Sequence, residues 1–288
     1  MASDRIDSEE ALIDEFLAPL AAGFPGAFDL ADDCAVIAPA AGEEFVVTTD
    51  ALVAGVHFFA GEEASAIAWK ALAVNVSDLI AKGATPLAYL MTLALPQAPE
   101  RAWLAAFSDG LRRAQEAFGC RLAGGDTDRT PSGLSVSITA FGTIPAGSIV
   151  RRSCARPDDL VYVSGTIGDA ALGLKLRRDA SLGQRCGLDM AARDHLDARY
   201  RMPVPPVGIA AVVRACASAA LDVSDGLIKD FGRLCRASGA SGRIEAARVP
   251  ISSAAKTVID AGGATLVDLM TGGEDYEVLV TVRPDRAD

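Results

Sequence analysis

The stretch ALDVSDGLIKDFG (220–232) places two aspartates at the junction of two apolar segments. Residues 209–221 are mostly small and aliphatic, and after the junction apolar residues recur at helical spacing from Leu227 to Cys235. This pattern predicts an apolar segment, a turn at 222–226 and an amphipathic helix, for which Asp225 is a candidate N-cap. Core packing gives no reason for Asp222 and Asp225 at this point. The turn is therefore also a candidate functional site.

The stretch ends in Asp230-Phe231-Gly232, which matches the DFG motif of protein kinases. That motif requires an upstream H-R-D-x-x-x-x-N segment and a Gly-rich loop, and the sequence contains neither. The P-loop pattern G-x-x-x-x-G-K-[ST] is also absent. Because Phe231 lies on the apolar face of the predicted helix, we interpret the three letters as packing.

Composition narrows the class of ligand. The chain has 288 residues, half of them hydrophobic, which is enough for two domains with substantial cores. A net charge of −11 argues against nucleic acid, because that binding depends on Lys and Arg neutralising phosphates. An anionic small ligand would need metal cations between itself and the protein.

Cysteine usage and the N-terminal segment indicate the compartment. The six cysteines are scattered without a C-x-x-C pair, and with only two histidines a zinc site is not expected. The first 20 residues are acidic and lack a basic segment followed by an apolar one, so no signal peptide is evident and a cytoplasmic location is expected. Residues 131–150 carry no charge, but their alternation and glycines predict a strand and a linker rather than a membrane helix.

Periodicity predicts an α/β chain of the α+β type, with sheets flanked by helices in each half. Helices are predicted up to about residue 20 and at 63–84, 100–119 and 207–218, and strands at 34–39, 44–52, 86–95, 134–141 and 160–165. A Gly-, Pro- and charge-rich region at 142–159 predicts two α/β domains, 1–148 and 149–288. Each half contains a predicted Gly-Gly-acid turn, at 124–127 and 272–275.

Several carboxylates stand beside apolar segments rather than on polar faces. Each alone has an ordinary explanation as a turn residue, a helix cap or a solvated position. As a set they would repel one another unless cations held them, and Mg²⁺ takes carboxylate, water and phosphate oxygens. Nearby hydroxyls and Gly-Gly turns with exposed backbone N–H groups suit metal-dependent nucleotide chemistry. The aspartates of the set are Asp32, Asp33, Asp50, Asp78, Asp126, Asp222 and Asp225.

Read in order, the motifs resemble those of thiamine-monophosphate kinase, within the superfamily that includes aminoimidazole-ribonucleotide synthetase. The matching segments run from about residue 30 to 282 and are ADDCAVI, TTDALVAGVHF, KALAVNVSDLIAKGATP, GGDT, RRSCARPDDLVYVSGTIGDAALGL, LDVSDGLIKDFGRL and GGEDYEVL. The resemblance implies a two-domain synthetase-like fold and a homodimer formed through the N-terminal domains. It also implies Mg²⁺-dependent transfer of the ATP γ-phosphoryl group to thiamine monophosphate, giving thiamine diphosphate and ADP.

The resemblance further implies roles for individual residues. Several Mg²⁺ ions are expected, and no residue is expected to act as a general base, because the acceptor is already an anionic phosphate oxygen; Asp50 and Asp126 would act through metal. The expected metal-binding positions are Asp33, Thr48, Thr49, Asp50, Asp78, Asp126, Asp222 and Asp225. The expected nucleotide-binding positions are Gly125, Asp126, Arg152 and Ser224, and the expected thiamine-phosphate contacts are His57 and Glu274. The residues alone favour a surface charge for Arg152 and a satisfied core or turn histidine for His57.

Two departures from the family pattern affect these expectations. Ala31 stands where the family usually has glycine before the paired aspartates, and alanine adopts positive φ less easily. The family normally continues past GGEDYE into a further strand, a helix and an aromatic-bearing tail near the substrate. Residues 1–288 do not include these elements, so we expect residues 1–288 to recognise thiamine without the contacts of that tail. The alternatives are another ATP-dependent synthetase of the superfamily and an inactive homologue that binds nucleotide or divalent cations.

Overall fold

The computed structural model describes residues 5–6 and 8–287. These residues form two compact units, one within 1–79 and 85–147 and the other within 80–84 and 148–288. The predicted α/β class, with two sheets flanked by helices, is confirmed. Each unit has its own sheet.

The first unit contains a four-stranded sheet in the order β1-β4-β2-β3. Strands β1 and β2 each lie antiparallel to β4, while β2 and β3 are parallel and are connected through a helix. The strands are β1 (Glu43–Val53), β2 (Thr85–Leu95), β3 (Arg121–Arg129) and β4 (Ser135–Pro145). The helices are α1 (Glu9–Leu12), α2 (Ala18–Ala21), α3 (Ala64–Ala81) and α4 (Arg101–Phe118), with a π-helical turn at Ile13–Leu17 and a 3₁₀ segment at Pro25–Leu30.

The second unit contains a three-stranded antiparallel sheet in the order β5-β7-β6. Its strands are β5 (Leu160–Val163), β6 (Ala217–Val223) and β7 (Glu277–Val282). Its helices are α5 (Asp169–Arg178), α6 (Leu182–Arg185), α7 (Met190–Arg201), α8 (Ala210–Cys216), α9 (Leu227–Ser238), α10 (Ser253–Asp260) and α11 (Leu266–Gly272). Short 3₁₀ segments lie at Val207–Ile209, Ala246–Arg248 and Pro284–Arg286. One apolar cluster joins β6 and α9, and another joins α5, α7 and α10.

The apolar character of α3 reflects burial inside the protein. Within the described residues it is the one helix long and apolar enough to cross a membrane by length and composition, and 89% of that segment is buried in the structure. A buried core helix has this composition because every face meets other apolar groups. The uncharged region 131–150 forms β4 and a following turn, as predicted.

Several sequence predictions are wrong in detail. Residues 34–39 form no strand, and the Gly124-Gly125 pair lies inside β3 rather than in a turn. The pair belongs to the strand because β3 continues its parallel pairing with β2 through both glycines. Helix α7 was missed because its sequence is polar and only Leu196 and Tyr200 are buried.

The alanine that replaces the family's glycine imposes no backbone strain. Ala31 has φ −94° and ψ 0°, which an L-residue adopts without glycine. Left-handed conformations occur instead at the three residues before it, where Phe28, Asp29 and Leu30 have φ between 50° and 58°. The substitution at residue 31 is therefore compatible with the local fold.

Candidate metal and nucleotide site

Strand β1 and helix α3 bring the predicted metal-binding residues of the first unit side by side. Thr48 and Asp50 are two residues apart on a strand and therefore point to the same face, while Asn75 and Asp78 are three apart on a helix. The hydroxyl of Thr48 donates to Oδ2 of Asp78 at 2.6 Å. The backbone N–H of Asp50 donates to Oδ1 of the buried Asn75 at 3.0 Å. These contacts fix Asp50 and Asp78 as neighbours.

The environment of Asp50 disfavours its charged form. Partial desolvation, together with the negative charge of Asp78, raises the pKa of Asp50 to about 6. A carboxylate pair of like charge is unfavourable in the free protein and becomes favourable when a cation lies between its oxygens. Carboxylate and hydroxyl oxygens are hard donors, so the donor set of Thr48, Asp50 and Asp78 fits Mg²⁺.

A cavity of about 880 Å³ in the first unit gathers a second group of predicted residues. It is lined by the aspartates Asp33 and Asp126, by Gly125 and by the β4 residue Thr139, among others. The hydroxyl of Thr139 donates to Oγ1 of Thr49 at 3.1 Å, which places Thr49 beside this group. Both aspartates are exposed, so their oxygens are accessible to a ligand in the cavity.

Gly125 lets β3 lie close to β2. A Cβ built at Gly125 would be 1.8 Å from the carbonyl oxygen of Met91, whereas one at Gly124 would be 3.4 Å from the Leu90 side chain. The sequence pattern pointed to a phosphate-binding turn, but the structure gives Gly125 a packing role within the sheet. Its backbone still lines the cavity.

The predicted carboxylates do not all come together. Among residues 5–6 and 8–287, no group of three or more His, Cys, Asp or Glu side chains is arranged to hold a metal ion. The first unit instead holds one pair, Asp50 and Asp78, and a separate cavity lined by Asp33 and Asp126. The Asp32 side chain caps the next residue, accepting the N–H of Asp33 at 2.8 Å.

In the second unit, the turn after β6 carries Asp222, Ser224 and Asp225. Asp222 is 8% exposed at the end of the strand, while the Asp225 carboxylate forms ion pairs with Lys229 (2.9 Å) and Arg233. Hydrogen bonds from these cations lower the pKa of Asp225, the contact with Lys229 contributing most. The predicted N-cap role is wrong, because Gly226 occupies the cap position of α9 and no side chain caps the helix.

The remaining predicted residues occupy turns or exposed loops. Nδ1 of His57 accepts the N–H of Val53 at 3.0 Å, so this nitrogen is unprotonated in a tight turn. The side chain of Arg152 is exposed, and its carbonyl accepts the hydroxyl of Ser238 at 3.0 Å. Glu274 has a left-handed φ of 65° in the turn before β7.

Sequence reasoning missed two supporting residues. Asn75 orients Asp50, and its only signal was a polar amide on an apolar helix three residues before Asp78. Asp230, interpreted as packing, is 1% exposed and accepts the backbone N–H groups of Ser224 at 3.1 Å and Asp225 at 2.9 Å. The packing interpretation holds for Phe231, which is 8% exposed, and is wrong for Asp230.

Comparison with known proteins identifies the class. Residues 31–144 match the family model described as AIR synthase related protein, N-terminal domain. The chain is 40% identical over 278 residues to the thiamine-monophosphate kinase of Caulobacter vibrioides, covering 96% of this chain and 77% of that protein.

Solved structures agree with this class. The crystal structure of thiamine-monophosphate kinase from Stenotrophomonas maltophilia K279a is similar with a TM-score of 0.79 and 38% identity, covering 90% of this chain and 81% of that one. AaThiL, complexed with AMPPCP and TMP, is similar with a TM-score of 0.80 and 31% identity, covering 97% and 86%. The fold is thus that of the AIR synthase-related proteins. Within that class, the chain belongs to the thiamine-monophosphate kinase family.

Proposed function

We propose that this protein transfers the γ-phosphoryl group of ATP to thiamine monophosphate, giving thiamine diphosphate and ADP. Membership of the family supports the reaction, and the similar AaThiL structure holds AMPPCP and TMP. The observation in this chain that carries the proposal is the pairing of Asp50 with Asp78: burial, together with the charge of Asp78, raises the pKa of Asp50, and the pair offers carboxylate oxygens to a cation. An acidic protein requires such cations in order to bind two anionic substrates.

The cofactor we propose is Mg²⁺, with several ions bound. In the first unit the ligands are Asp33, Thr48, Thr49, Asp50, Asp78 and Asp126, and in the second they are Asp222 and Asp225. When bound, the metal neutralises phosphate charge and orients the transferred group. At Asp225 the ion pairs with Lys229 and Arg233 would rearrange or share the carboxylate.

The nucleotide contacts we propose are Gly125, Asp126, Arg152 and Ser224. The cavity beside Gly125 and Asp126 supports the first two. Exposure of the Arg152 guanidinium leaves its forked donors available to a phosphate. No residue needs to remove a proton from the acceptor, since a phosphate oxygen is already a nucleophile, and positioning contributes most of the rate.

His57 and Glu274 are the thiamine-phosphate contacts we propose. His57 is half-buried in a turn; its carbonyl accepts Nζ of Lys70 at 3.1 Å, and its ring is oriented by the N–H of Val53, which donates to Nδ1 at 3.0 Å. Glu274 lies in the turn before β7, and its own backbone N–H donates to the carbonyl of Ser224 at 2.8 Å. The ring of His57 and the backbone of Glu274 are therefore already ordered before a substrate binds, which lowers the entropic cost of these contacts.

We also propose a cytoplasmic homodimer formed through the N-terminal domains, here assigned to 1–148, with 149–288 as the C-terminal domain. Strand β1 is an edge of its sheet, and Val47 on it is 53% exposed, which favours burial against another surface. Sedimentation velocity tests this part alone, because a monomer at micromolar concentration would contradict the dimer and leave the reaction untouched.

Product analysis with ATP, Mg²⁺ and thiamine monophosphate tests the reaction. We expect thiamine diphosphate and ADP in equal amounts, and no product when Mg²⁺ is removed by EDTA. A folded protein that binds ATP and forms no thiamine diphosphate would favour the alternatives, a different synthetase of the superfamily or an inactive homologue.

A further inference from the structure

Asp230 is a buried carboxylate in the first turn of α9. It is 1% exposed, and such burial is unfavourable unless the carboxylate is hydrogen bonded or paired. Oδ2 accepts the N–H of Ser224 at 3.1 Å and the N–H of Asp225 at 2.9 Å, and Oδ1 accepts NH1 of Arg233 at 2.7 Å. Burial raises its pKa, while the bonds from Asp225 and Arg233 oppose that shift. Both oxygens are thus engaged.

The opposite side of the same turn is held by backbone contacts. The carbonyl of Ser224 accepts the N–H of Glu274 at 2.8 Å, and the carbonyl of Val223 accepts the N–H of Tyr276 at 2.8 Å. Gly226, at φ 106°, has no room for a Cβ, which would lie 2.9 Å from the carbonyl carbon of Thr271. Among the contacts described for residues 223–226, Asp230 is therefore the side chain that accepts backbone N–H groups of the turn, and the other hydrogen bonds of the turn's backbone are made by neighbouring backbone.

Asp230 also controls the charge around Asp225. The guanidinium of Arg233 contacts Asp230 and Asp225 at once, and Lys229 completes the set at 2.9 Å from Asp225. Without the negative charge of Asp230, Arg233 would lose one of its two partners. The side chain and the backbone of Asp225 therefore both depend on Asp230.

We infer that Asp230 is a positioning residue, which fixes Ser224 and Asp225 in the geometry that binds metal and nucleotide. This inference rests on the proposed function, since it assumes the nucleotide and metal roles of those two residues. Asp230 itself would touch neither substrate nor metal. Its effect would appear in ligand affinity rather than in stability alone.

Asp230→Asn is the direct test, with Asp169→Asn as the matched control. Asn retains an oxygen for the two backbone donors but loses the charge that holds Arg233. Asp169 is equally buried in the same unit, and it accepts the hydroxyls of Thr166 (2.7 Å) and Ser252 (2.5 Å) rather than the backbone of the turn. Binding of ADP with Mg²⁺ is measured by calorimetry, thermal unfolding is followed alongside, and KM for ATP is separated from kcat.

We expect the dissociation constant of Mg²⁺–ADP and KM for ATP to rise on the order of tenfold in Asp230→Asn. Asp169→Asn should lower the midpoint of thermal unfolding and leave Mg²⁺–ADP binding unchanged. A folded Asp230→Asn protein that binds Mg²⁺–ADP like the wild type would overturn the inference, as would an equal loss of binding in both variants.

Two further results keep the test decisive. If Asp230→Asn does not fold, hydrogen exchange of the wild-type amides of Ser224 and Asp225 decides, since exchange at unprotected rates would show that Asp230 does not hold them. If the wild type binds Mg²⁺–ADP but forms no thiamine diphosphate, the proposed function fails while the Asp230 comparison still stands. A wild type that does not bind Mg²⁺–ADP would overturn both.

Discussion

The hydroxyl of Thr48 lies 2.6 Å from Oδ2 of Asp78, so a strand residue and a helix residue from distant parts of the sequence share one hydrogen bond at the acidic pair. Thr48 is half-buried, and its hydroxyl directs the Asp78 carboxylate before any cation is bound. Asp50 lies two residues along the same strand and is held by Asn75. The pair is therefore organised by neutral donors rather than by Lys or Arg.

Replacing Thr48 with valine should separate this orienting role from packing. Thr48→Val keeps the side-chain shape and removes the donor to a charged acceptor, which typically lowers the free energy of unfolding by about 1–3 kcal/mol. We also expect the half-saturating Mg²⁺ concentration to rise in steady-state assays. Thr48→Ser keeps the hydroxyl and should retain the wild-type Mg²⁺ dependence. Equal Mg²⁺ dependence in the valine and serine variants would contradict the role of the hydrogen bond.

Replacing Asp50 with asparagine should affect activity and stability in opposite directions. If Asp50 is a metal ligand as proposed, its loss should reduce turnover by about 100-fold or more, because metal-bound charge contributes several kcal/mol to such transition states. In EDTA at pH 8, where Asp50 is ionised in the wild type, Asp50→Asn should raise the midpoint of thermal unfolding, because repulsion with Asp78 is removed. Asp126→Asn should likewise abolish turnover without unfolding the protein.

The control for this comparison is Asp109→Asn. Asp109 is an exposed residue of α4 and pairs with Arg112 at 2.6 Å. The Asp109→Asn variant should have wild-type turnover and no gain in thermal stability. If Asp50→Asn and Asp126→Asn both retain full activity, the acidic residues have been misread.

The two adjacent glycines of β3 provide a matched pair. Gly125→Ala would force a Cβ to within 1.8 Å of the Met91 carbonyl oxygen, a backbone atom that cannot move aside, whereas Gly124→Ala meets only the Leu90 side chain at 3.4 Å. Overpacking of this kind typically costs about 1–3 kcal/mol, so Gly125→Ala should be the clearly less stable variant in urea unfolding. Similar unfolding free energies for the two variants would show that β2 and β3 pair in a different register.

The sequence predicted correctly those elements of the fold whose determinants lie within the element itself. The helix-forming residues of α3, the amphipathic pattern of α4 and the β-branched segment of β1 predicted those elements, because each signal lies within the element itself. The pair Gly124-Gly125 misled because glycines serve turns and close strand contacts equally well, and only the position of Met91 separates the two. The residues near Gly125 in the sequence do not reveal that Met91 lies opposite it on β2.

For the candidate site too, local features of the sequence were informative and contacts set by the fold were not. The sequence pointed to Asp50 and Asp78, which the structure brings together, because acids within apolar segments are conspicuous. Asp225 was misread as a helix cap, since its pairing with Arg233 and the capture of its N–H by Asp230 depend on how the first turn of α9 folds back. The role of Asp230 was not predicted, because Asp230-Phe231-Gly232 matched the DFG motif and was interpreted as packing.

The pH dependence of stability should reveal Asp275, a buried carboxyl in the turn before β7. It is 1% exposed; Oδ1 accepts the N–H of Gly168 at 2.9 Å, and Oδ2 has no hydrogen-bond partner within the described part of the chain. Burial raises its pKa to about 8, helped by the charges of Asp169 and Glu277 and opposed by the Gly168 N–H and Arg199.

The sign of the effect follows from proton uptake. In the unfolded chain the pKa is about 3.9, so between about pH 4 and 8 the folded protein holds a proton at Asp275 that the unfolded chain has released. The free energy of unfolding should therefore fall as pH rises through this window. Asp275→Asn mimics the neutral acid, so in urea titrations it should match the wild type near pH 4 and become progressively the more stable protein as the pH rises to 8. Because other groups titrate equally in both proteins, only the difference between them reports on Asp275, and a difference that stays constant from pH 5 to 8.5 would mean that Asp275 is ionised throughout.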